Sequence, residues 1–128
     1  MSDRNGIIST RTIVYYVSGH GFGHATRSVV VAAEILRRWP GARIRFRTMA
    51  PRWLFDAELP RARIEVESVA ADVGVVQSDG LRFHLGPTLE ALDRFQERLP
   101  ALAAREGRFL RSSGATLVLA DASPFPMA

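Results

Sequence analysis

Residues 12–27 read TIVYYVSGHGFGHATR and predict a strand, a glycine-rich turn and the beginning of a helix. From Thr12 to Ser18 all side chains but the last are β-branched or aromatic, which is typical of a strand buried on both faces of a parallel sheet. We expect this strand to be the first and central one. Gly19 to Gly23 supplies the turn. From Ala25 to Trp39 apolar residues recur at helical spacing until Pro40, namely Val29, Val30, Ala33 and Leu36.

The next segments continue the alternation of strand and helix. Arg43 to Thr48 alternates arginine with apolar residues, so it predicts a second strand with a basic, exposed face. Pro51 to Leu59 predicts a short helix. The alternation around Ile64 and Val66 then predicts a third strand, nearer the edge of the sheet.

The remaining sequence predicts a loop, a helical region and a last strand. Residues 71–83 contain two glycines and break the rhythm, which indicates a loop of functional length. Leucine and phenylalanine at three- and four-residue spacing over 89–102 predict helix, in which Pro100 either makes a kink or begins a second helix. Thr116 to Ala120 predicts another buried strand, which ends at Asp121.

These segments predict an α/β fold, a Rossmann-like parallel sheet with flanking helices, because strands that alternate with helices are joined by crossovers. Residues 1–10 are expected to be a flexible tail and residues 11–128 a partial domain. Since the sequence ends where a further covering helix is expected, we interpret the chain as a truncated piece of a larger domain.

The composition bounds the class of protein. The chain has 128 residues, 47% of them hydrophobic, which is enough for one core. It contains no cysteine, which excludes disulfides and thiolate chemistry. No apolar run approaches the roughly 18 residues of a membrane-spanning helix, and the first ten residues are too polar for a secretory signal. We therefore expect a cytoplasmic protein.

The basic charge is carried by arginine alone. The net charge is +4, and all 17 basic residues are arginine. Arginine suits phosphate-bearing ligands because its planar fork binds them at two points, although codon usage is an alternative explanation. The arginines are scattered and are not clustered with aromatic residues, so nucleic acid is not expected as a partner.

The glycine-rich turn predicts a ligand site. Gly19, Gly21 and Gly23 let the backbone approach a bound group, and the helix that follows presents free N–H groups to an anion. The turn lies where open α/β sheets bind ligands, beyond the carboxyl ends of the strands. Its spacing differs from the dinucleotide pattern G-x-G-x-x-G, and the absence of lysine excludes a P-loop. No cofactor is expected.

Two histidines and an aspartate add candidate catalytic groups. His20 and His24 flank the turn, and either could take a proton from a hydroxyl nucleophile if a partner fixes its tautomer. Asp121 would open onto the same crevice. In the alternative, these residues only cap helices or bond loop backbone. A metal site is not expected, because the histidines lie across a turn and His84 is remote in sequence.

Other polar residues near the turn are candidate substrate-binding groups. Arg27 lies in the first turn of the helix, where a cation is unfavourable unless it faces an anion. Gln77 and Asp79 lie in the polar loop and could line an acceptor pocket. A plain surface loop is the alternative for that segment.

The turn, the helix and the end of the last strand resemble the N-terminal domain of two-domain, GT-B-type glycosyltransferases. The turn is similar to the G-G-T-G-G-H loop of the lipid-linked N-acetylglucosamine transferases of peptidoglycan synthesis, whose histidine stands where His24 does. A closer resemblance is to the glycosyltransferase-like N-terminal region of plant arabinokinases and related bacterial proteins. It rests on GHGFGHATR at 19–27, DVGVVQSDG at 72–80 and LVLADASP at 117–124.

The resemblance implies an inverting transfer from a nucleotide diphosphate sugar to a sugar or lipid-linked acceptor held by this acceptor-side domain. It implies His24, or alternatively His20, as the general base, with Asp121 orienting it. The loop amides and Arg27 would hold the acceptor or the diphosphate. Because the other half of such enzymes supplies most contacts to the donor, this chain alone is expected to be inactive.

Two alternatives stand beside this hypothesis. The chain could be a non-catalytic domain that binds a sugar or sugar phosphate and regulates a fused kinase. It could also be a remnant without a stable fold. If it does fold, we expect self-association through the uncovered sheet.

Overall fold

The computed structural model describes residues 10–74, 76–79 and 81–124. Most of the expected tail, residues 1–9, lies outside this part, as do Gly80 and the last four residues. Along the chain, the described elements are β1 (Arg11–Val17), α1 (Gly23–Arg38), β2 (Ala42–Thr48), α2 (Trp53–Asp56), β3 (Ile64–Ser68), α3 (Leu85–Ser113) and β4 (Ala115–Asp121). A short 3₁₀ turn, Arg61–Arg63, precedes β3.

The four described strands form one sheet in the order β3-β2-β1-β4. All three strand pairs are parallel, and β1 lies between β2 and β4. The register sets Val17 beside Thr48 on one side and beside Asp121 on the other, so these three carboxyl ends meet at one edge. The predicted α/β class with a Rossmann-like parallel sheet is confirmed. The inner position of β1 and the outer position of β3 are confirmed with it.

Alternate side chains of β1 point to opposite faces, and each face is covered by different helices. Ile13, Tyr15 and Val17 belong to a cluster that includes residues of α1 and α2. Val14 and Tyr16 belong to a second cluster with α3. The sheet is therefore sandwiched between two helical layers.

Helix α1 packs through a stripe that contains two of the four predicted apolar positions, Val29 and Leu36. Its buried residues are Ala25, Ser28, Val29, Ala32 and Leu36. Val30 is 68% exposed, and Ala33 is also exposed, which corrects both assignments. The hydrophobic spacing around Val29 and Val30 fits two neighbouring faces of a helix, and the small residues Ala25 and Ala32 decide which face approaches the sheet.

The C-terminal end of α1 is held by Arg63. Its guanidinium donates to the carbonyl oxygens of Leu36, Trp39 and Ala42 at 3.0, 2.7 and 3.0 Å. A cation is favourable here because the last carbonyls of a helix lack partners and carry partial negative charge. Arg63 thereby ties the end of α1 to the segment before β3.

Helix α3 is continuous through Pro100. Of the two predicted possibilities, a second helix does not begin at this proline. The helix ends at Gly114, whose φ of 68° is the left-handed conformation that glycine adopts easily. Phe95 is buried, whereas Leu89 and Leu92 are exposed, so only the later turns pack on the sheet as predicted. No helix in the described part of the chain is long and apolar enough to cross a membrane.

The predicted basic, exposed face of β2 is wrong at Arg47, which is buried. Its guanidinium donates to both carboxylate oxygens of Glu106, and the hydroxyl of Tyr16 donates to the same carboxylate at 3.0 Å. Glu106 is a residue of α3, the helix that covers this face of the sheet. Sequence spacing along β2 carries no signal of a partner that lies so far along the chain.

The contacts between Arg47, Glu106 and Tyr16 shift the pKa values of Glu106 and Tyr16. Burial alone would raise the pKa of Glu106, but the hydrogen bonds and charge of Arg47 outweigh it, and the pKa lies below its usual range. Burial and the neighbouring Glu106 both raise the pKa of Tyr16. The carboxylate therefore stays ionised inside the protein.

The prediction that β4 is buried is also wrong in part. The strand lies at the outer edge of the described sheet, and Leu117 is 42% exposed. A run such as TLVLA predicts burial because it is uniformly apolar, but the run does not tell whether a covering neighbour is present.

Candidate functional site

The glycine-rich turn lies at the carboxyl edge of the sheet, between β1 and α1. A Cβ placed on Gly19 would lie 2.7 Å from the Cβ of Met49, so the turn fits closely against the end of β2. Gly21 has a φ of 64°, which side chains disfavour. Both glycines are thus required by the path of the backbone, and their predicted role in binding a substrate stays a prediction.

Asp121 brings together side chains from the first turns of α1. Its Oδ1 lies 2.9 Å from Nδ1 of His24. Arg27 donates to both oxygens, from Nη2 to Oδ1 at 2.5 Å and from Nε to Oδ2 at 2.9 Å. Ser28 donates to Oδ2 at 3.4 Å. We call His24, Arg27, Ser28 and Asp121 the Asp121 cluster.

Local structure explains why these residues meet. Asp121 is the last residue of β4, and the N–H of Ser18 at the end of β1 donates to its carbonyl at 3.0 Å. His24, Arg27 and Ser28 are spaced at three and four residues, so they share one face of α1. The sequence predicted that Asp121 pairs with His24 or, alternatively, His20, and the structure pairs it with His24. Ser28 was not predicted, although the same helical spacing could have indicated it.

The cluster keeps Asp121 ionised. The hydrogen bonds from Arg27 lower the pKa of Asp121 most, burial opposes this, and the hydrogen bond with His24 lowers it further. In return the carboxylate raises the pKa of Arg27. Arg27 therefore has an anion as its partner, as its position at a helix N-terminus suggested, but that anion is Asp121.

The contacts of His24 favour one tautomer. Nδ1 lies 2.9 Å from the carboxylate oxygen and 3.2 Å from Nη2 of Arg27. The shorter contact favours a proton on Nδ1, because an N–H bonded to a carboxylate is charge-assisted. The longer contact with Arg27 opposes this, since a guanidinium can only donate. Nε2 then carries the free lone pair, and the side chain is 35% exposed. This arrangement can accept a proton from a bound hydroxyl.

His20 has a different partner. Its Nε2 accepts the backbone N–H of Gly74 at 2.5 Å. Beside it, the hydroxyl of Ser18 donates to Asp72 at 2.6 Å and accepts the backbone N–H of His20 at 3.2 Å. Two of the three segments that carry the sequence resemblance, 19–27 and 72–80, are therefore in contact through His20 and Gly74.

Gln77 and Asp79 lie in a turn of their own. Gln77 pairs with Phe83 across an isolated antiparallel bridge. Asp79 accepts the backbone N–H groups of Leu81 and Arg82 at 2.8 and 2.9 Å. Among the described contacts, neither residue touches the Asp121 cluster, so their predicted role in binding an acceptor stays a prediction.

Comparisons with known proteins show what the chain as a whole is similar to. No family model matches the chain. L-arabinokinase of Arabidopsis thaliana is 34% identical over 114 residues, which is 86% of this chain and 10% of the relative. The chain thus spans about a tenth of this curated relative. The predicted resemblance to arabinokinase-related proteins is confirmed.

A solved structure supports the fold. A UGT transferase from Siraitia grosvenorii, crystallised in complex with UDP, superposes with a TM-score of 0.50 at 19% identity. The match covers 87% of this chain and 23% of that structure. The chain is therefore glycosyltransferase-like in fold. The similarity to the peptidoglycan transferases stays a prediction.

Proposed function

We propose that this chain is the acceptor-side domain of a glycosyltransferase, which transfers a sugar from a nucleotide diphosphate sugar to an acceptor hydroxyl. The observation that carries the proposal is the contact between His24 and Asp121 at the carboxyl edge of the sheet. The fold shared with a UDP-bound transferase supports the donor class.

In this reaction His24 is the general base. Its Nε2 takes the proton of the acceptor hydroxyl while the oxygen forms a bond to the anomeric carbon of the donor. The bond from that carbon to the diphosphate breaks, and the nucleotide diphosphate leaves with the electron pair. Asp121 fixes the ring and stabilises the imidazolium that forms, and Arg27 fixes Asp121.

The glycine-rich turn supplies room for a substrate. A Cβ on Gly21 or Gly23 would meet nothing within 4 Å, so the space beside the turn is open. The first turn of α1 presents backbone N–H groups there, which favour a hydroxyl oxygen or a phosphate. We propose that the other half of a two-domain enzyme binds the nucleotide sugar.

A second candidate function is non-catalytic binding of a sugar or sugar phosphate within a kinase. The relative that matches 86% of this chain is named a kinase, which favours this candidate. In that case the glycine-rich turn would bind its ligand without proton transfer.

Calorimetry with UDP-glucose, UDP, L-arabinose and L-arabinose 1-phosphate tests binding. The purified chain and its His24→Ala and Asp121→Asn variants would be compared with His84→Ala, which removes a histidine outside the cluster. We expect sugar binding that weakens in the first two variants only. A folded protein that binds no member of the panel contradicts both functions.

Release of UDP, measured with the longest natural protein that carries this domain, separates the two functions. Transfer that depends on His24 supports the glycosyltransferase. Binding that is retained without UDP release supports the regulatory domain.

A further inference from the structure

We infer that His20 is a positioning residue, which fastens residues 72–74 to the glycine-rich turn so that they form one wall of the acceptor site. The inference rests on the proposed function for the identity of the ligand. The contact between His20 and Gly74 is itself observed in the structure and does not depend on the proposed function.

The first observation is the hydrogen bond from the N–H of Gly74 to Nε2 of His20. A nitrogen that accepts a hydrogen bond holds no proton, so the ring proton of the neutral imidazole lies on Nδ1. The lone pair that a general base needs is thus occupied in His20. In His24 the contacts with described residues are made by Nδ1 and not by Nε2, which divides the roles of the two histidines.

The second observation is the lack of space at Gly74. A Cβ at this position would overlap the imidazole ring of His20, with Cγ and Nδ1 as the nearest atoms. Only glycine lets the backbone of this loop lie against the ring. The position of the His20 ring therefore requires glycine at position 74, and the amide of Gly74 is the hydrogen-bond donor to that ring.

The third observation is a second fastening point next to the first. The buried hydroxyl of Ser18 donates to Asp72 at 2.6 Å and accepts the N–H of His20 at 3.2 Å. Ala71 is buried, and Val73 packs against the core cluster of Val14. The loop is anchored up to Gly74, and its exposed turn begins beyond that point.

These contacts give the site its second wall. The first wall is the turn and the start of α1 with His24. Residues 72–74 are kept against that turn by bonds from Ser18 and to His20, so an acceptor bound beside the turn would meet both segments. Release of Gly74 would leave the Asp121 cluster intact but open the crevice on this side.

The test compares His20→Leu, His20→Gln and Gly74→Ala with the wild-type chain. Glutamine keeps an acceptor near the position of Nε2, whereas leucine keeps bulk without an acceptor. His84→Leu is the matched control. The probes are hydrogen exchange of the Gly74 amide, the ¹⁵N shifts of the His20 ring, and calorimetric affinity for L-arabinose.

We expect the Gly74 amide to exchange about tenfold faster in His20→Leu, since one hydrogen bond is lost, and glutamine to restore part of the protection. The wild-type ring should show the Nδ1–H form. Affinity for L-arabinose should fall in His20→Leu and Gly74→Ala without a change in the melting temperature as large as that caused by a core substitution.

Unchanged exchange in His20→Leu, or an Nε2–H ring in the wild type, overturns the inference whether or not a sugar binds. Faster exchange with unaltered L-arabinose affinity also overturns it, because the contact would then be structural only. If the wild-type chain binds no sugar but both the exchange and the tautomer are as expected, the contact stands and the proposed function fails.

Discussion

Arg47 and Glu106 form a buried, two-point ion pair that joins β2 to α3, with N–O distances of 2.6 and 2.9 Å. The guanidinium carbon of Arg47 also lies 3.6 Å from the ring centre of Phe109. A buried charge is costly unless it is paired, so each partner depends on the other. The pair fixes where α3 lies across the sheet.

Glu106→Gln should lower the free energy of unfolding by about 1–3 kcal/mol, because it removes the buried carboxylate of the pair and leaves Arg47 with only the part-exposed Glu67, 2.8 Å from its Nη1, as a counter-charge. Urea unfolding followed by circular dichroism measures this. Glu97→Gln, an exposed change on the same helix, is the control and should cost under about 0.5 kcal/mol. Equal effects of the two variants would contradict the role assigned to the ion pair.

Stability should fall in acid. The pKa values of Glu106 and Asp121 are lowered in the folded chain from ordinary values of 4.5 and 3.8, so the unfolded chain binds protons first as the pH drops. Their contribution is complete above these ordinary values and is lost as the pH falls through the folded values. Thermal melts from pH 7 to pH 3 measure the decline, which Asp121→Asn should make shallower. A melting temperature that is constant over this range would refute the expectation.

Arg27→Gln should raise the pKa of Asp121 towards its ordinary value, because Arg27 is the largest cause of the lowering. Carbon NMR of the carboxyl group over a pH titration measures it. Arg37→Gln, on the same helix but paired with Glu34, should leave that titration unchanged. If the two variants titrate alike, Arg27 does not hold the carboxylate.

Gly19→Ala should destabilise the chain by about 1–3 kcal/mol, since its Cβ would press on Met49 and displace the turn. Gly23→Ala is the matched control: no atom lies within 4 Å of the added group, and alanine favours the first turn of α1. Thermal unfolding of both variants checks the difference. Loss of stability in Gly23→Ala alone would be the contrary result.

The edge at β4 predicts self-association, because within the described residues this strand pairs only with β1, and its outer edge, with Leu117 exposed, can pair with another chain. Light scattering should show species larger than the monomer, and Leu117→Lys should shift them towards monomer. A wild-type chain that is monomeric and melts cooperatively would rule this out.

Local patterns predicted the elements that depend on neighbours in sequence. β1, the turn and α1 follow from residues 12–39, and the parallel sheet places Asp121 near the turn that carries His20 and His24. The prediction was wrong where distant segments decide the environment. Arg47 is buried by Glu106, which lies 59 positions away, and Leu117 is exposed because no described strand lies beyond β4. The different partners of His20 and His24 could not be predicted, because the contact of His20 with Gly74 is not revealed by spacing along the chain.

The guanidinium of Arg63 has a consequence for chemistry at the opposite end of α1. Helix α1 is hydrogen-bonded to Arg63 at its last turn and to Asp121 at its first, so both of its ends are held by side chains from other segments. A shift of α1 along its axis would break the hydrogen bonds at one of these ends. The position of the His24 side chain relative to a substrate therefore depends in part on Arg63, at the other end of α1.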